Sequence, residues 1–278
     1  MNGKTAVIKQ QLRWAALKEK FDGYENYLAT NEDNLYANRL TKEAKSEFEL
    51  ADGSELVDKK KPAKIKALHS SSALAYNFFE YWRNKDKAIL AKALGIDKKI
   101  ISLRLEKKLN TGISTPNIDV YLELENETSV SIECKFCEWM DTKKNIFKSR
   151  YFIDNKTELK RWKNAGLPLT QSLADRINKQ DEFIRLDAAQ LLKHALGIAN
   201  SEKENSQLIY VYFDLEQNCR IRKEHEKDIA LFSKGVDPKL IFRAISYQSL
   251  FDVLARNGGE IEESYLKYLG SRYFSHVT

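Results

Sequence analysis

The chain has 278 residues, 42% of them hydrophobic, with 46 Lys and Arg against 40 Asp and Glu for a formal charge of +6. That composition supports one large domain or a core with additions, and it excludes a mainly disordered chain. Three cysteines are too few for a disulfide framework, the opening Met1-Asn2-Gly3-Lys4 lacks the apolar core of a signal peptide, and no run approaches the roughly 18 apolar residues of a membrane span. A soluble, cytoplasmic protein is expected. There is no Gly-rich phosphate loop and no GxSxG elbow.

In chain order, residues 1–60 read as a helical N-terminal arm, with Ala6, Leu12, Ala15, Ala16, Phe21, Tyr24 and Tyr27 in an irregular helix-like pattern. The lysine-rich run 59–66 reads as a solvated linker. Ser70, Ser71 and Ser72 offer N-cap hydroxyls to a helix through Leu74, Phe78, Phe79 and Trp82. A strand is expected over 100–105.

A hairpin follows. Ile118, Val120, Leu122 and Leu124 share one face of its first strand, and Val130, Ile132, Cys134 and Phe136 share one face of its second, across the turn Asn126-Glu127-Thr128. Asp119, Glu133 and Lys135 go to the opposite face. Every register that keeps the aliphatic faces together sets Asp119 opposite or diagonal to Glu133 or Lys135. Two carboxylates about 4 Å apart repel by roughly 4 kcal/mol at an effective dielectric near 20, which a plain structural sheet has no reason to carry.

A divalent cation removes the repulsion. Mg²⁺ takes oxygens from one or two carboxylates and completes its shell with water and substrate phosphate. Lys135 beside it can hold or help deprotonate a water and offset charge on a phosphorane-like transition state. Metal-assisted hydrolysis of a phosphodiester is the expected chemistry. A zinc site at Cys134-x-x-Cys137 is not expected, because Cys219 and the four histidines offer no paired ligand spacing to complete it.

Beyond the hairpin, Lys143, Lys144, Lys148, Arg150, Lys156, Lys160, Arg161 and Lys163 interleave with Phe147, Tyr151, Phe152 and Trp162, the mixture that meets phosphates and unstacked bases. A helix is expected over 181–195, with Ile184, Ala188, Leu191, Leu192 and Ala195 inward and Asp187, Gln190 and His194 in one polar stripe. A strand over 207–213 follows. A strand at 240–245 and helices near 247–256 and 261–269 could extend the sheet or build a dimer face.

Pro116-Asn117-Ile118-Asp119, thirteen residues, then Glu133-Cys134-Lys135 resembles the PD-(D/E)xK superfamily of restriction-endonuclease-like nucleases. Bare acid-x-Lys spacing recurs at Asp58, Asp97, Glu106, Asp141 and Glu158, and only Glu133-Cys134-Lys135 is read in an alternating strand. The superfamily's Pro commonly stands directly before its Asp, whereas here Asn117 and Ile118 intervene.

The resemblance implies an α/β fold with a restriction-endonuclease-like core, a mixed central β-sheet flanked by helices, bearing helical N-terminal and mixed C-terminal additions. The nuclease domain would span 61–278, its extension starting near 216. By the same resemblance Asp119, Glu133 and the Cys134 backbone carbonyl bind Mg²⁺, Lys135 assists the nucleophile, Gln190 is a fourth catalytic residue and Glu80 a further candidate acid. Lys143, Lys144, Lys148, Arg150, Lys160, Arg161 and His194 are the candidate nucleic-acid contacts. The expected substrate is double-stranded DNA cut by a homodimer in restriction of foreign DNA. The alternatives are a catalytically silent DNA-binding module of the same fold, or a structure-specific repair or RNA nuclease.

Overall fold

The computed structural model describes residues 3–51, 55–154, 157–201, 206–215 and 219–274. Lys156 and the expected start of the C-terminal extension at 216 lie outside the described residues.

The N-terminal part is more mixed than the expected helical arm. Helices α1 (Gly3–Trp14) and α2 (Lys42–Leu50) flank a small hairpin, β1 (Lys20–Phe21) and β2 (Tyr24–Leu28). Gly23 turns between the strands at φ 72°, in the left-handed region where a residue without Cβ is unstrained. This part is fastened to the body by Arg272, which is 1% exposed. Its guanidinium donates to the Asn34 carbonyl at 2.6 Å and lies over the Trp14 and Tyr273 rings at 4.2 and 4.5 Å. The lysine run is not wholly solvated either: Lys66 is buried, binds Asp58 at 2.6 Å and sits 4.7 Å from the Phe21 ring centroid.

Helix α3 (Ser71–Phe79) starts where the Ser70 hydroxyl accepts the Ala73 N–H. Every residue from Ala73 to Phe79 is buried, so the helix shows no polar face over that stretch and sits against the sheet. It ends at Phe79, and a single 3-10 turn over Glu80–Trp82 carries Trp82 inward. Helix α4 (Ala88–Leu94) closes with Gly95 at φ 61°, a left-handed C-cap.

The sheet begins with β3 (Ile100–Lys108), β4 (Asn117–Leu124) and β5 (Ser129–Lys135), an antiparallel meander. Small strands β6 (Ile153–Asp154) and β7 (Thr157–Glu158) and helices α5 (Arg161–Asn164), α6 (Pro168–Lys179) and α7 (Ala188–Ala199) fill the crossover to β8 (Gln207–Tyr212). Helix α8 (Arg220–Gly235) crosses to β9 (Phe242–Ser246), and α9 (Tyr247–Asn257) and α10 (Glu263–Tyr273) follow. The strand order is β3-β4-β5-β8-β9, with β5, β8 and β9 parallel. Parallel neighbours need long crossovers, and helices supply both. The C-terminal strand thus extends the sheet.

Both faces of the sheet are covered. Val120, Leu122, Val130, Ile132 and Cys134 form one core with Leu74 and Phe78 of α3 and Leu250 of α9. Tyr121, Leu208 and Tyr210 form a second core with Trp162, Leu173, Leu191, Ala195 and Phe232. Glu133 is therefore not on a solvated face: it is 1% exposed. At the β3 edge, Glu47 of α2 accepts the Leu105 N–H at 2.9 Å, and Arg83 donates to the Leu103 carbonyl at 2.8 Å, which blocks pairing with another strand.

Helix α7 starts seven residues later than the expected 181. The preceding backbone is bonded elsewhere: Asp228 Oδ2 accepts the N–H groups of Ile184, Arg185 and Leu186 at 2.8, 2.6 and 3.1 Å. Ile184, expected inward, is 40% exposed. The helix proper is launched by Asp187, whose carboxylate accepts the Gln190 N–H at 2.9 Å as an N-cap.

Candidate active site

Strands β4 and β5 pair with Val120 against Ile132, an alignment that continues to Asp119 against Glu133. There the ladder opens. The Cys134 N–H points towards β4 but is accepted by the Asp119 carboxylate at 2.6 Å. The Lys135 carbonyl accepts the Phe213 N–H on the opposite, β8 side at 2.9 Å. Backbone groups of successive strand residues point to alternate sides, so the Cys134 carbonyl leaves on the β4 side, beside Asp119.

Glu133 carries contacts on both oxygens: Lys135 Nζ is 2.6 Å from Oε1 and His194 Nε2 is 2.9 Å from Oε2. Both contacts are close in distance and off the ideal hydrogen-bond axis. Lys135 Nζ also donates to Gln190 Oε1 at 2.9 Å. Gln190 and His194 are four residues apart, one turn on the same helical face, and that face of α7 lies over β5. The structure thus brings Asp119, Glu133, Lys135 and Gln190 together, with His194 behind Glu133.

Burial drives the Asp119 carboxyl well above the usual carboxylate range, and the charges of Glu133 and Glu106 push it the same way. Burial pushes Glu133 upward too, but the Lys135 ammonium and His194 outweigh it and hold Glu133 low. For Lys135 burial favours the neutral amine, yet Glu133, Asp119 and Glu138 carry it well above the ordinary lysine value. Lys135 is an ammonium at neutral pH.

Two acids escaped the sequence reading. Glu106 lies on β3 between the pairs Leu105–Val120 and Lys107–Ile118, hence against Asp119. Its carboxyl is pushed up to about 8 by burial, then by Glu55 and Glu133. The acid-x-Lys spacing at Glu106 is a signal for it, but the expected strand ends at 105 and β3 runs on to Lys108. Glu55, 8% exposed, pairs with Lys64 at 2.9 Å and accepts from the Ser72 hydroxyl at 2.8 Å. Nothing in the sequence around Glu55 marks it.

Asp119, Glu133 and Glu106 crowd one opening, and the charges of their neighbours add to burial in raising Asp119 and Glu106. No set of three or more His, Cys, Asp or Glu among the described residues is arranged to hold a metal ion. Two carboxylates and one backbone carbonyl nevertheless fit Mg²⁺, which fills the rest of its shell with water and substrate oxygens.

Other candidates fall elsewhere. Glu80 accepts from the Thr41 hydroxyl at 2.6 Å and from Arg83 Nε at 2.9 Å, and it lines a separate cleft of about 390 Å³ with Tyr36, Arg39 and Tyr76. Its carboxylate is occupied by these partners and is not brought to Asp119. His194, a candidate nucleic-acid contact, is fully buried because α7 is covered on that side, and it faces Glu133 instead of solvent. Lys144, Lys148 and Arg150 are exposed and Lys143 partly so. Lys160 is paired with Glu158 and Asp175 at 2.5 and 3.0 Å, and Arg161 donates to the Arg150 carbonyl at 3.2 Å. The interleaved aromatics are not at the surface: Phe147, Tyr151, Phe152 and Trp162 pack into the second core, and the Trp162 indole donates to the Leu192 carbonyl at 2.7 Å.

A five-stranded mixed sheet flanked by helices, opening between β4 and β5 around two acids and a lysine, defines an α/β protein with a restriction-endonuclease-like core. Residues 4–274 match the family described as Restriction Endonuclease associating with ARP, and the chain belongs to that family. Comparisons with curated proteins and with solved structures gave no match. No described helix is long and apolar enough to cross a membrane.

Proposed function

We propose that this chain is a Mg²⁺-dependent PD-(D/E)xK endonuclease that hydrolyses phosphodiester bonds of double-stranded DNA, cutting foreign DNA at specific sequences. The observation that carries the reading is the meeting of Asp119, Glu133, Lys135 and Gln190 at the opening between β4 and β5.

In this reading Asp119, Glu133 and the Cys134 carbonyl hold the cation. Bound there, Mg²⁺ polarises the scissile phosphate and acidifies a coordinated water. Glu133 is kept ionised by Lys135 and His194 and is ready to accept a cation. Lys135, as an ammonium, orients the attacking water and offsets charge growing on the phosphate oxygens. Gln190 fixes the position of that ammonium.

Lys143, Lys144, Lys148 and Arg150 follow β5 in the chain and have no ion-pair partner among the described residues. They are the phosphate contacts of this reading. A twofold homodimer would present two sites to the two strands of a duplex. The family's association with ARP is proposed for this chain as well, and a cytoplasmic location fits restriction.

The test is incubation of the purified protein with phage-sized duplex DNA in Mg²⁺ or EDTA, beside Glu133→Gln. Discrete fragments formed only by wild type and only with Mg²⁺ support the reading, whereas DNA left intact by wild type in Mg²⁺ overturns it.

A further inference from the structure

Helix α7 touches both halves of the Glu133-x-Lys135 pair. Gln190 holds Lys135, and one turn later His194 Nε2 stands 2.9 Å from Glu133 Oε2. The two residues differ in setting. Gln190 is partly exposed, while His194 is 0% exposed among the second core's Leu191, Leu192 and Ala195. An imidazole there has lost its water. Leaving a buried polar group without a partner costs about 1–3 kcal/mol, and a leucine at the same place would carry no such cost. Neither ring nitrogen makes a well-aligned hydrogen bond among the described residues, and the close polar contact of the ring is the one from Nε2 to Glu133. The polar atom nearest the ring is thus Glu133 Oε2, 2.9 Å from Nε2.

Glu133 needs such a partner. Its side chain has three rotatable bonds, and Lys135 alone constrains only Oε1. With Nε2 of His194 packed 2.9 Å from Oε2, the carboxylate has less room to turn and Oε1 is kept on the side of Lys135. Outer partners of this kind orient ligand groups at metal sites. We infer that His194 is a positioning residue that fixes the Glu133 carboxylate for cation binding, an inference that rests on the reading of Glu133 as a metal-holding residue.

The experiment measures Mn²⁺ affinity of the DNA-free full chain by titration calorimetry, with cleavage rates alongside. His194→Leu is expected to weaken Mn²⁺ binding roughly 10- to 100-fold and to slow cleavage, while far-UV circular dichroism stays at wild type. His194→Gln, which keeps an N–H at similar reach, is expected to recover most of the affinity. In a Glu133→Gln background His194→Leu should cost nothing further, since coupled residues are not additive.

Wild-type Mn²⁺ affinity in His194→Leu, with affinity lost in Glu133→Gln, overturns the role of His194 and leaves that of Glu133 standing. Wild-type affinity in Glu133→Gln overturns both. If His194→Leu does not fold, His194→Asn decides the matter: it is polar but too short to reach Glu133. Weaker binding than in His194→Gln supports the inference, and equal binding overturns it.

Discussion

Glu133 shows how far the motif could be read and where the reading stopped. Strand alternation separates it from the aliphatic core of Ile132 and Cys134, and the hairpin register sets it against Asp119. What alternation cannot show is the second layer: the face opposite the aliphatic one is covered by α7, and Glu133 is 1% exposed. His194 meets Glu133 through that second layer, whereas Glu106 meets Asp119 through the β3–β4 register, which local alternation does not reveal either. Gln190→Leu is expected to lower the cleavage rate about 10- to 100-fold by freeing Lys135, with DNA affinity unchanged. Wild-type turnover in that variant would remove Gln190 from the site.

A second residue-scale expectation concerns His225, fully buried, stacked on Trp139 and with Nε2 3.0 Å from the Tyr210 hydroxyl. Burial, then the Arg185 charge, pushes its pKa down from 6.5 to about 3. The unfolded chain takes up a proton at this residue near its ordinary value and the folded one does not. Its contribution to stability is therefore complete above pH 6.5 and is lost as pH falls towards 3, at up to roughly 1.4 kcal/mol per pH unit. Urea midpoints measured across that window should fall less steeply for His225→Gln than for wild type. Identical slopes would contradict the assignment.

Among the elements, the β4–β5 hairpin, the Ser70-capped helix and the strand β8 were legible, since each rests on local periodicity or a local cap. The start of α7 was not. Residues 181–187 have helical spacing of apolar groups, but Asp228, more than forty residues on, takes three of their N–H groups. Asp228→Ala is expected to destabilise by about 2–3 kcal/mol or more, because buried donors are left unpaired, while Asp187→Ala, a single cap, should cost about 1 kcal/mol. Chemical denaturation of both variants checks the order, and an Asp187 effect larger than that of Asp228 would contradict it.

At the scale of the whole molecule, basic residues and aromatics that alternate in sequence part company in space. The aromatics build the second core and the cations Lys143, Lys144, Lys148 and Arg150 remain outside. Hydrophobic burial separates them, and composition alone does not reveal which face each takes. If those four cations engage phosphates, the logarithm of DNA affinity should fall with log salt at a slope of about −4. Replacing all four with Ala should flatten the slope towards zero, and an unchanged slope would place the DNA elsewhere.

Asp119, Glu133 and Lys135 are proposed to form a hydrolytic site. Its most direct test is single-turnover cleavage of duplex DNA in Mg²⁺ by wild type and by Lys135→Ala, each at saturating enzyme. The expected result is cleavage by wild type and a loss of about 10²–10³-fold or more in the variant, with DNA binding preserved. Cleavage by Lys135→Ala at the wild-type rate would rule out a hydrolytic role for this site.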